Sequence, residues 1–258
     1  MWRILCESVE GTSHRQNATV CQDSSFAATF SFEVDDGVIL VCSDGAGSAS
    51  ESKAGSELAC RIAITRVMSF LEGGHGVEQL TEGLLRSCLA DVHLELVHEA
   101  ERRSIPPREL ACTLLLAVVG RSAAAFAQVG DGAIVVSGEG SFRQIFWPQT
   151  GEYQNTTFFI TDVNYTQHIQ CSTEQIGIDD VSLLSDGLQM LALDYANRNV
   201  HQPFFIDLFR ALRQTEDHHD LISPMRQWLD SEKVNARTDD DKTLILATRI
   251  SSSADATV

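Results

Sequence analysis

Short β-type runs of apolar residues alternate with longer helical stretches along this chain. Residues 2–9 and 26–34 are predicted strands, and the turn residues at 35–37 lead into the apolar run 38–42, a pattern typical of a β-hairpin. Four further runs between residues 114 and 147 are separated by Gly, Ser and Arg, and we expect them to form an antiparallel meander. Two more predicted strands follow: 181–185 and 243–249.

Helical periodicity occupies the stretches between these runs. Leu58, Ile62, Val67 and Leu71 follow the spacing of one buried helix face, and a second helical stretch covers 77–103. Several shorter helical stretches run from about 187 to 232. Because the helices are inserted between β segments and no 20–50-residue repeat is present, the pattern predicts an α+β fold with two antiparallel sheets packed together and helices outside.

No stretch has the composition of a domain linker, so we expect one domain over residues 1–250. Residues 148–170 lack periodicity and are rich in Thr, Asn, Gln and Tyr, which favours an irregular flap. Its aromatic residues contact a substrate peptide or, as aromatics more often do, pack against the sheets. The tail 251–258 is expected to fray.

Charge and cysteine usage narrow the class of protein. The 258 residues carry 19 Lys and Arg against 36 Asp and Glu, a formal net charge of −17, which repels nucleic-acid phosphates and anionic lipids. The seven Cys are scattered, with no Cys-x-x-Cys pair for zinc or redox chemistry. A secretory signal and a long apolar span are lacking. We therefore expect a cytoplasmic protein with reduced thiols, no nucleic-acid partner and no membrane association.

One local pattern recurs three times: a buried strand runs through a small residue into Asp-Gly, at Asp44, Asp131 and Asp186. Asp-Gly is also a common turn dipeptide, and Asp36-Gly37 is expected to be only that. Asp44 and Asp186 differ because each stands where a strand ends and a helical segment begins, a position that often carries functional groups. For Asp131, a hairpin tip and a site residue remain equally open.

Two further acidic spots flank predicted strands, Asp23 before the second strand and Asp240 before the last. If these side chains converge, several carboxylates share one site and cannot all stay ionised without a cation. Oxygen-only ligands select Mg²⁺ or Mn²⁺. His218 and His219 are adjacent in the sequence, and we expect them to form a solvated turn rather than a zinc site.

In this order and spacing, six motifs resemble the type 2C protein phosphatases, the metal-dependent PPM family. The resemblance spans residues 23–243, and small stand-alone bacterial members also share the opening 11–14 and the segments 151–153 and 159–162. The motifs are Gln22-Asp23-Ser24, Ser43-Asp44-Gly45-Ala46-Gly47, Ala111-Cys112-Thr113, Gly130-Asp131-Gly132, Ser185-Asp186-Gly187 and Asp240-Asp241-Lys242-Thr243.

The resemblance implies a four-layer αββα sandwich and a metal-dependent serine/threonine phosphatase acting on phosphorylated proteins. It implies two Mn²⁺ or Mg²⁺ ions, with a third position available, and a water bridging the two ions that attacks phosphorus without a phosphoenzyme. Asp44, Asp186 and Asp240 are then the catalytic residues. The implied metal ligands are Asp23, Asp44, the Gly45 carbonyl, Asp186 and Asp240, with Asp131 and Asp186 forming the third position.

Two departures from the family pattern leave substrate contacts open. Ala18 stands where members usually carry a phosphate-clamping Arg, so Arg15 is a candidate clamp, with an exposed loop charge as the alternative. Ala46 stands where many members carry a His that protonates the leaving oxygen. With His14 as the candidate substitute, we expect aryl phosphates to be hydrolysed more readily than alkyl phosphates.

Two other functions remain open from the sequence. The missing Arg and His leave room for a catalytically weak or inactive phosphatase-like binding module, although the four carboxylates are present. A two-metal phosphohydrolase acting on nucleotides or nucleic acid is disfavoured by the charge of −17 and by the lack of a Gly-rich phosphate loop. We expect a monomer.

Overall fold

A computed structural model of the chain describes residues 1–138, 140–149 and 157–250. Twelve strands are formed within these ranges. They are β1 (Trp2–Val9), β2 (Ser24–Ser31), β3 (Asp36–Ser43), β4 (Leu114–Val119), β5 (Ala124–Val129), β6 (Ala133–Gly138), β7 (Ser141–Gln144), β8 (Gln170–Glu174), β9 (Asp180–Leu184), β10 (Leu193–Asp194), β11 (Asn199–Val200) and β12 (Lys242–Arg249).

Two long helices and several short ones complete the described chain. The α-helices are α1 (Thr12–Asn17), α2 (Ser52–Glu72), α3 (Glu82–Arg103), α4 (Gln189–Ala192), α5 (Gln202–Gln214), α6 (Ile222–Leu229) and α7 (Glu232–Asn235). Single 3-10 turns occupy Val77–Gln79, Pro107–Leu110, Tyr165–Gln167, Asp186–Leu188 and His218–Leu221. None of the helices in the described ranges has the length and apolarity needed to cross a lipid bilayer.

The strands form two five-stranded antiparallel sheets in the orders β1-β12-β9-β6-β7 and β2-β3-β4-β5-β8, with β10 and β11 as a separate pair. Side chains such as Leu40, Phe126 and Leu183 fill the space between the two sheets. Helices α2 and α3 cover the outer face of the second sheet, and α5 and α6 cover that of the first. The predicted α+β fold, a four-layer αββα sandwich, is confirmed.

The hairpin predicted at residues 35–37 is present, because Ser31 pairs with Asp36 where β2 meets β3. The meander predicted between residues 114 and 147 is wrong. Strands β4 and β5 pair in one sheet and β6 and β7 in the other, so the chain crosses between sheets at Gly130-Asp131-Gly132. Gly130 has φ +109°, a backbone conformation that favours glycine, and this allows the crossing.

The boundaries of two other predicted elements shift. The second helical stretch begins with the 3-10 turn Val77–Gln79, and the α-helix starts only after Thr81, whose side chain accepts from the amide of Leu84. The second strand ends at Ser31 rather than at residue 34. Part of the predicted flap, residues 150–156, and the predicted frayed tail, 251–258, lie outside the described residues.

The ends of the central strands meet at one edge of the sandwich because backbones approach closely there. A Cβ built on Gly187 would lie 2.0 Å from the carbonyl oxygen of Asp241, and one on Gly11 would lie 2.4 Å from the carbonyl carbon of Asp240. Only glycine fits at such distances. The glycines after β1 and β9 therefore bring both strand ends against the segment that carries Asp240.

Candidate metal centre

A polar pit of about 430 Å³ opens at this edge. Asp44 follows β3, Asp186 follows β9 and Asp240 precedes β12, and all three side chains line the pit. Gly45 and Ala46 lie on its wall. Three loops from both sheets thus converge on one acidic concavity.

Three carboxylates at the pit, two of which line it, have the geometry of a cation site. Asp44, Asp131 and Asp186 each offer an oxygen, and these oxygens lie within 4.8 Å of one another. Asp131 Oδ1 and Asp186 Oδ1 are buried and have no hydrogen-bond partner among the described residues, and the same is true of Asp23 Oδ1. Buried carboxylate oxygens left unpaired are costly unless a cation or water meets them. This donor set fits hard divalent ions such as Mg²⁺ and Mn²⁺.

The electrostatics of the cluster agree with that fit. Burial, reinforced by repulsion from Asp23, Asp186 and Asp240, raises the pKa of Asp44 well above its usual value. Burial followed by repulsion from Asp131 and Asp240 raises the pKa of Asp186 to about 8. Burial also raises the pKa of Asp23 to about 6. Protons would have to neutralise these groups in the absence of a cation, so the cluster favours whatever positive charge enters it.

Asp44 is fixed through its backbone by the neighbouring strand β4. Its amide donates to Thr113 Oγ1 at 2.9 Å, and the amide of Thr113 donates to the Asp44 carbonyl at 2.8 Å. Ser43 Oγ donates to the Thr113 carbonyl at 2.5 Å. Cys112 is fully buried beside this contact and pairs with Gly45. The segment Ala111-Cys112-Thr113 therefore positions the carboxylate rather than entering the pit.

Asp23 lies behind the pit, with 1% of its surface exposed. Ser185 Oγ donates to Asp23 Oδ2 at 2.7 Å and accepts from the amide of Thr243 at 3.0 Å. One hydroxyl therefore ties Asp23 to the ends of both β9 and β12. Asp23 lies close enough to the cluster for its charge to raise the pKa of Asp44 and of Asp186.

Asp131 lies in the same cluster as Asp44 and Asp186, and one of the two alternatives for its Asp-Gly motif is excluded. Since β5 and β6 lie in different sheets, Asp131 is not a hairpin tip. Thr157 Oγ1 donates to Asp131 Oδ2, and Gln189 Nε2 donates to the Asp131 carbonyl. Thr157 and Gln189 were not singled out from the sequence, because neither belongs to a motif.

Asp241 is a further residue that sequence reasoning left without a role. Its carboxylate is buried, accepts from the amide of Gly11 at 2.7 Å and from that of Gln22 at 2.6 Å, and lies 2.7 Å from His14 Nδ1. It joins the loops before α1 and before β2 to the segment before β12. The run Asp239-Asp240-Asp241 gave no means of telling that Asp240 faces the pit and Asp241 the protein interior.

The two predicted substrate contacts have different surroundings. His14 lines the pit beside Asp240, with its imidazole against Asp241. Arg15 instead forms an ion pair with Asp230 and donates to the Glu10 carbonyl at 3.0 Å, and it does not line the described part of the pit. No arginine or lysine from residues 1–138, 140–149 or 157–250 lines this cavity.

In the described part of the flap, some aromatic side chains stack on histidines and another lines the pit. Tyr165 stacks on His93 with ring centroids 4.2 Å apart, and Phe158 stacks on His168 at 3.5 Å. Phe159 lines the pit. Tyr153, another aromatic residue of the predicted flap, lies outside the described residues.

Comparison with known proteins agrees with this fold. The family described as Protein phosphatase 2C matches residues 10–231. The Serine/threonine-protein phosphatase 3 of Escherichia coli (strain K12) is 33% identical over 249 residues, covering 95% of this chain and 98% of the relative.

Solved structures share the architecture. The crystal structure of a bacterial serine phosphatase superposes with a TM-score of 0.66 at 19% identity, covering 98% of this chain and 99% of that one. The serine/threonine phosphatase Stp1 from Staphylococcus aureus gives a TM-score of 0.64 at 19% identity, covering 97% and 96%.

The family match, the relative and the convergent carboxylates leave the inactive binding module disfavoured. The chain therefore belongs to the protein phosphatase 2C family and is a serine/threonine protein phosphatase, a phosphoric monoester hydrolase.

Proposed function

We propose that the pit hydrolyses phosphoserine and phosphothreonine monoesters of proteins with two divalent ions, Mn²⁺ or Mg²⁺, held by its carboxylates. The observation that carries this proposal is the meeting of Asp44, Asp131 and Asp186, whose oxygens lie within 4.8 Å of one another. Asp44 would help to hold both ions. The Gly45 carbonyl would hold one ion, and Asp186 and Asp240 would hold the other. Asp23 would support the shell of the second ion, and Asp131 with Asp186 would offer a third position.

The bound ions would activate a water and neutralise the phosphoryl oxygens. The chain's own residues hold the metal-binding carboxylates in position. Buried partners hold the carboxylates in place: Thr113 fixes the backbone of Asp44, and Ser185 fixes the side chain of Asp23. Positions fixed in this way lower the reorganisation that the reaction requires.

A cysteine-phosphate intermediate has no support in the described site. None of the residues that line the described part of the pit is a cysteine. The nearest thiols in sequence, Cys42 and Cys112, are buried, and burial raises the pKa of both. A thiol held in its neutral form is a poor nucleophile. Direct attack by water is the route that this chain favours.

His14 is the group of the described pit best placed to protonate the leaving oxygen. Its Nδ1 lies against the buried Asp241, which leaves Nε2 as the ring nitrogen for a substrate. A carboxylate that holds a histidine by one nitrogen orients the other for proton transfer. This arrangement substitutes for the histidine that Ala46 replaces.

We further propose phosphorylated proteins as partners, a monomeric enzyme and a cytoplasmic location. The excess of acidic residues, −17 in net charge, supports exclusion of nucleic-acid substrates.

The test is hydrolysis of p-nitrophenyl phosphate and of a phosphothreonine peptide with Mn²⁺, in the native chain and in Asp44→Asn. Activity that depends on Mn²⁺ and is lost in the variant supports the proposal. Equal activity in both proteins would overturn the assignment of the site.

A further inference from the structure

A groove of about 480 Å³ lies in the helical layer outside the first sheet. We call it the α5–α7 groove and define it by Met190, Phe204, Leu208, Trp228, Lys233 and Arg237. Its volume lies within the range of ordinary ligand pockets. Its base is apolar, since Phe204, Leu208 and Trp228 are only partly buried against the core beneath them.

The groove adjoins the acidic pit along two chain segments. Arg237 precedes Asp240 by three residues, so their Cα atoms lie within about 11 Å of each other even if the chain is fully extended. On the other side, Met190 follows Asp186 by four residues, through the 3-10 turn Asp186–Leu188 and the start of α4. A peptide with its phosphate in the pit reaches the groove within three to five residues.

The charge of the groove contrasts with that of the whole chain. Lys233 and Arg237 are exposed and have no ion-pair or hydrogen-bond partner within the described ranges, whereas most other basic side chains there are paired. The acidic residue that lines the groove, Asp207, is already paired with Arg210 at 2.8 Å. The groove therefore presents two free positive charges beside an apolar floor, on a protein of net charge −17.

We propose that the α5–α7 groove binds the segment of the substrate protein that flanks the phosphorylated residue, a segment with one large apolar side chain followed by acidic residues. The rings of Phe204 and Trp228 pack together with centroids 5.8 Å apart, and the apolar side chain lies on the exposed surface of this pair. The acidic residues meet Lys233 and Arg237. An aromatic pocket edged by cations suits such a segment, because aromatic anchors supply affinity and charge supplies selectivity. The inference rests on the proposed phosphatase activity and adds the sequence preference of its substrates.

The experiment compares two phosphothreonine peptides, one with a Phe-Glu-Glu segment four residues from the phosphothreonine and one with Ala-Gln-Gln there. Versions with the segment on either side of the phosphothreonine test its direction. The double variant Lys233→Glu/Arg237→Glu is expected to raise KM for the Phe-Glu-Glu peptide about 10-fold, with kcat and p-nitrophenyl phosphate hydrolysis unchanged. KM for the Ala-Gln-Gln peptide should change less than about 2-fold.

The matched control is Arg66→Glu/Arg102→Glu, which makes the same change in net charge on α2 and α3, in the helical layer over the other sheet. Binding is also measured directly with the unphosphorylated Phe-Glu-Glu peptide, through the fluorescence of Trp228. Trp228→Phe should abolish the fluorescence change while the peptide still binds, as detected by calorimetry.

The outcomes separate the two proposals. If the native chain does not hydrolyse p-nitrophenyl phosphate with Mn²⁺, the proposed function is wrong. With that hydrolysis intact, equal KM values for the two peptides, or equal effects of the groove and control variants, would overturn the groove proposal. A change in sedimentation of the groove variant alone would show that a second copy of the chain occupies the groove, and this would also overturn it.

Discussion

Asp44 and Thr113 are joined by a reciprocal pair of hydrogen bonds: the Asp44 amide donates to Thr113 Oγ1 at 2.9 Å, and the Thr113 amide donates back to the Asp44 carbonyl at 2.8 Å. The pair links the end of β3 to the residue before β4, and Asp44 lines the acidic pit. The central carboxylate is thus held by the scaffold rather than by a mobile loop.

Replacing Thr113 by Val should loosen Asp44 without filling or emptying space. The partly buried Asp44 amide would lose its acceptor, which costs about 1 kcal/mol of the free energy of unfolding. Affinity for Mn²⁺ should fall about 10–100-fold, as for other groups that orient metal ligands. Calorimetric Mn²⁺ titration measures this. Thr113→Ser keeps the hydroxyl and should restore affinity, and a Ser variant as weak as the Val variant would contradict the role.

Asp44→Asn is expected to lower the activity with Mn²⁺ and to raise the stability of the metal-free protein. Hydrolysis of p-nitrophenyl phosphate with Mn²⁺ should fall on the order of 10³-fold, because the central ligand charge is lost. In a chelator at pH 8 the same variant should be more stable than the native chain by about 1–2 kcal/mol, since it removes a buried carboxyl from a repelling cluster. Thermal unfolding measures the second effect. The control is Asp239→Asn. Asp239 is exposed, precedes Asp240 in the sequence and is not among the residues that line the described part of the pit.

The stability of the metal-free protein, measured in a chelator, should fall as pH rises. The folded pKa values of Asp23, about 6, and of Asp186, about 8, lie above the ordinary carboxyl value, so the folded state binds more protons than the unfolded chain. Their contribution is complete below about pH 4 and is lost as pH rises toward 8. Mn²⁺ competes with these protons, so its stabilising effect should grow over the same range. Melting temperatures from pH 5 to 8, with and without Mn²⁺, check this, and a rising stability in chelator would contradict it.

His14 and its partner Asp241 should matter most for poor leaving groups. In His14→Gln, kcat for a phosphothreonine peptide should fall about 10²-fold, the usual effect of losing a general acid. Hydrolysis of p-nitrophenyl phosphate should fall far less, because nitrophenolate departs without a proton. In the native chain the aryl ester should also be the faster substrate. An equal loss for both esters would assign His14 to phosphate binding instead.

Arg15 offers a test of the predicted phosphate clamp. Since its guanidinium is engaged by Asp230 and Glu10 on the surface, Arg15→Ala should change KM for p-nitrophenyl phosphate less than about 2-fold, the scale of an exposed ion pair. Steady-state kinetics alongside Asp230→Asn provide the measurement. An increase of 10-fold or more in Arg15→Ala alone would restore the clamp assignment.

Much of the site follows from local sequence rules. A buried strand that runs into Asp-Gly and then into a helical segment places its carboxylate at the edge of a sheet, and the two residues singled out by this rule, Asp44 and Asp186, line the same pit. Asp131 could not be assigned in the same way, because two strands separated by a turn have the same alternation whether they pair with each other or lie in different sheets. Only the crossing at Gly130 decides between these arrangements.

The sequence by itself determined the α+β class, the strand ends that carry acidic residues and an excess of carboxylates suited to hard cations. The tertiary structure decided which of those carboxylates meet and which way each one faces. Asp240 and Asp241 are adjacent and chemically identical, yet one lines the pit and the other is buried against Gly11 and Gln22. The reason is physical: alternation and turn chemistry act over a few residues, whereas these contacts join positions more than 200 residues apart.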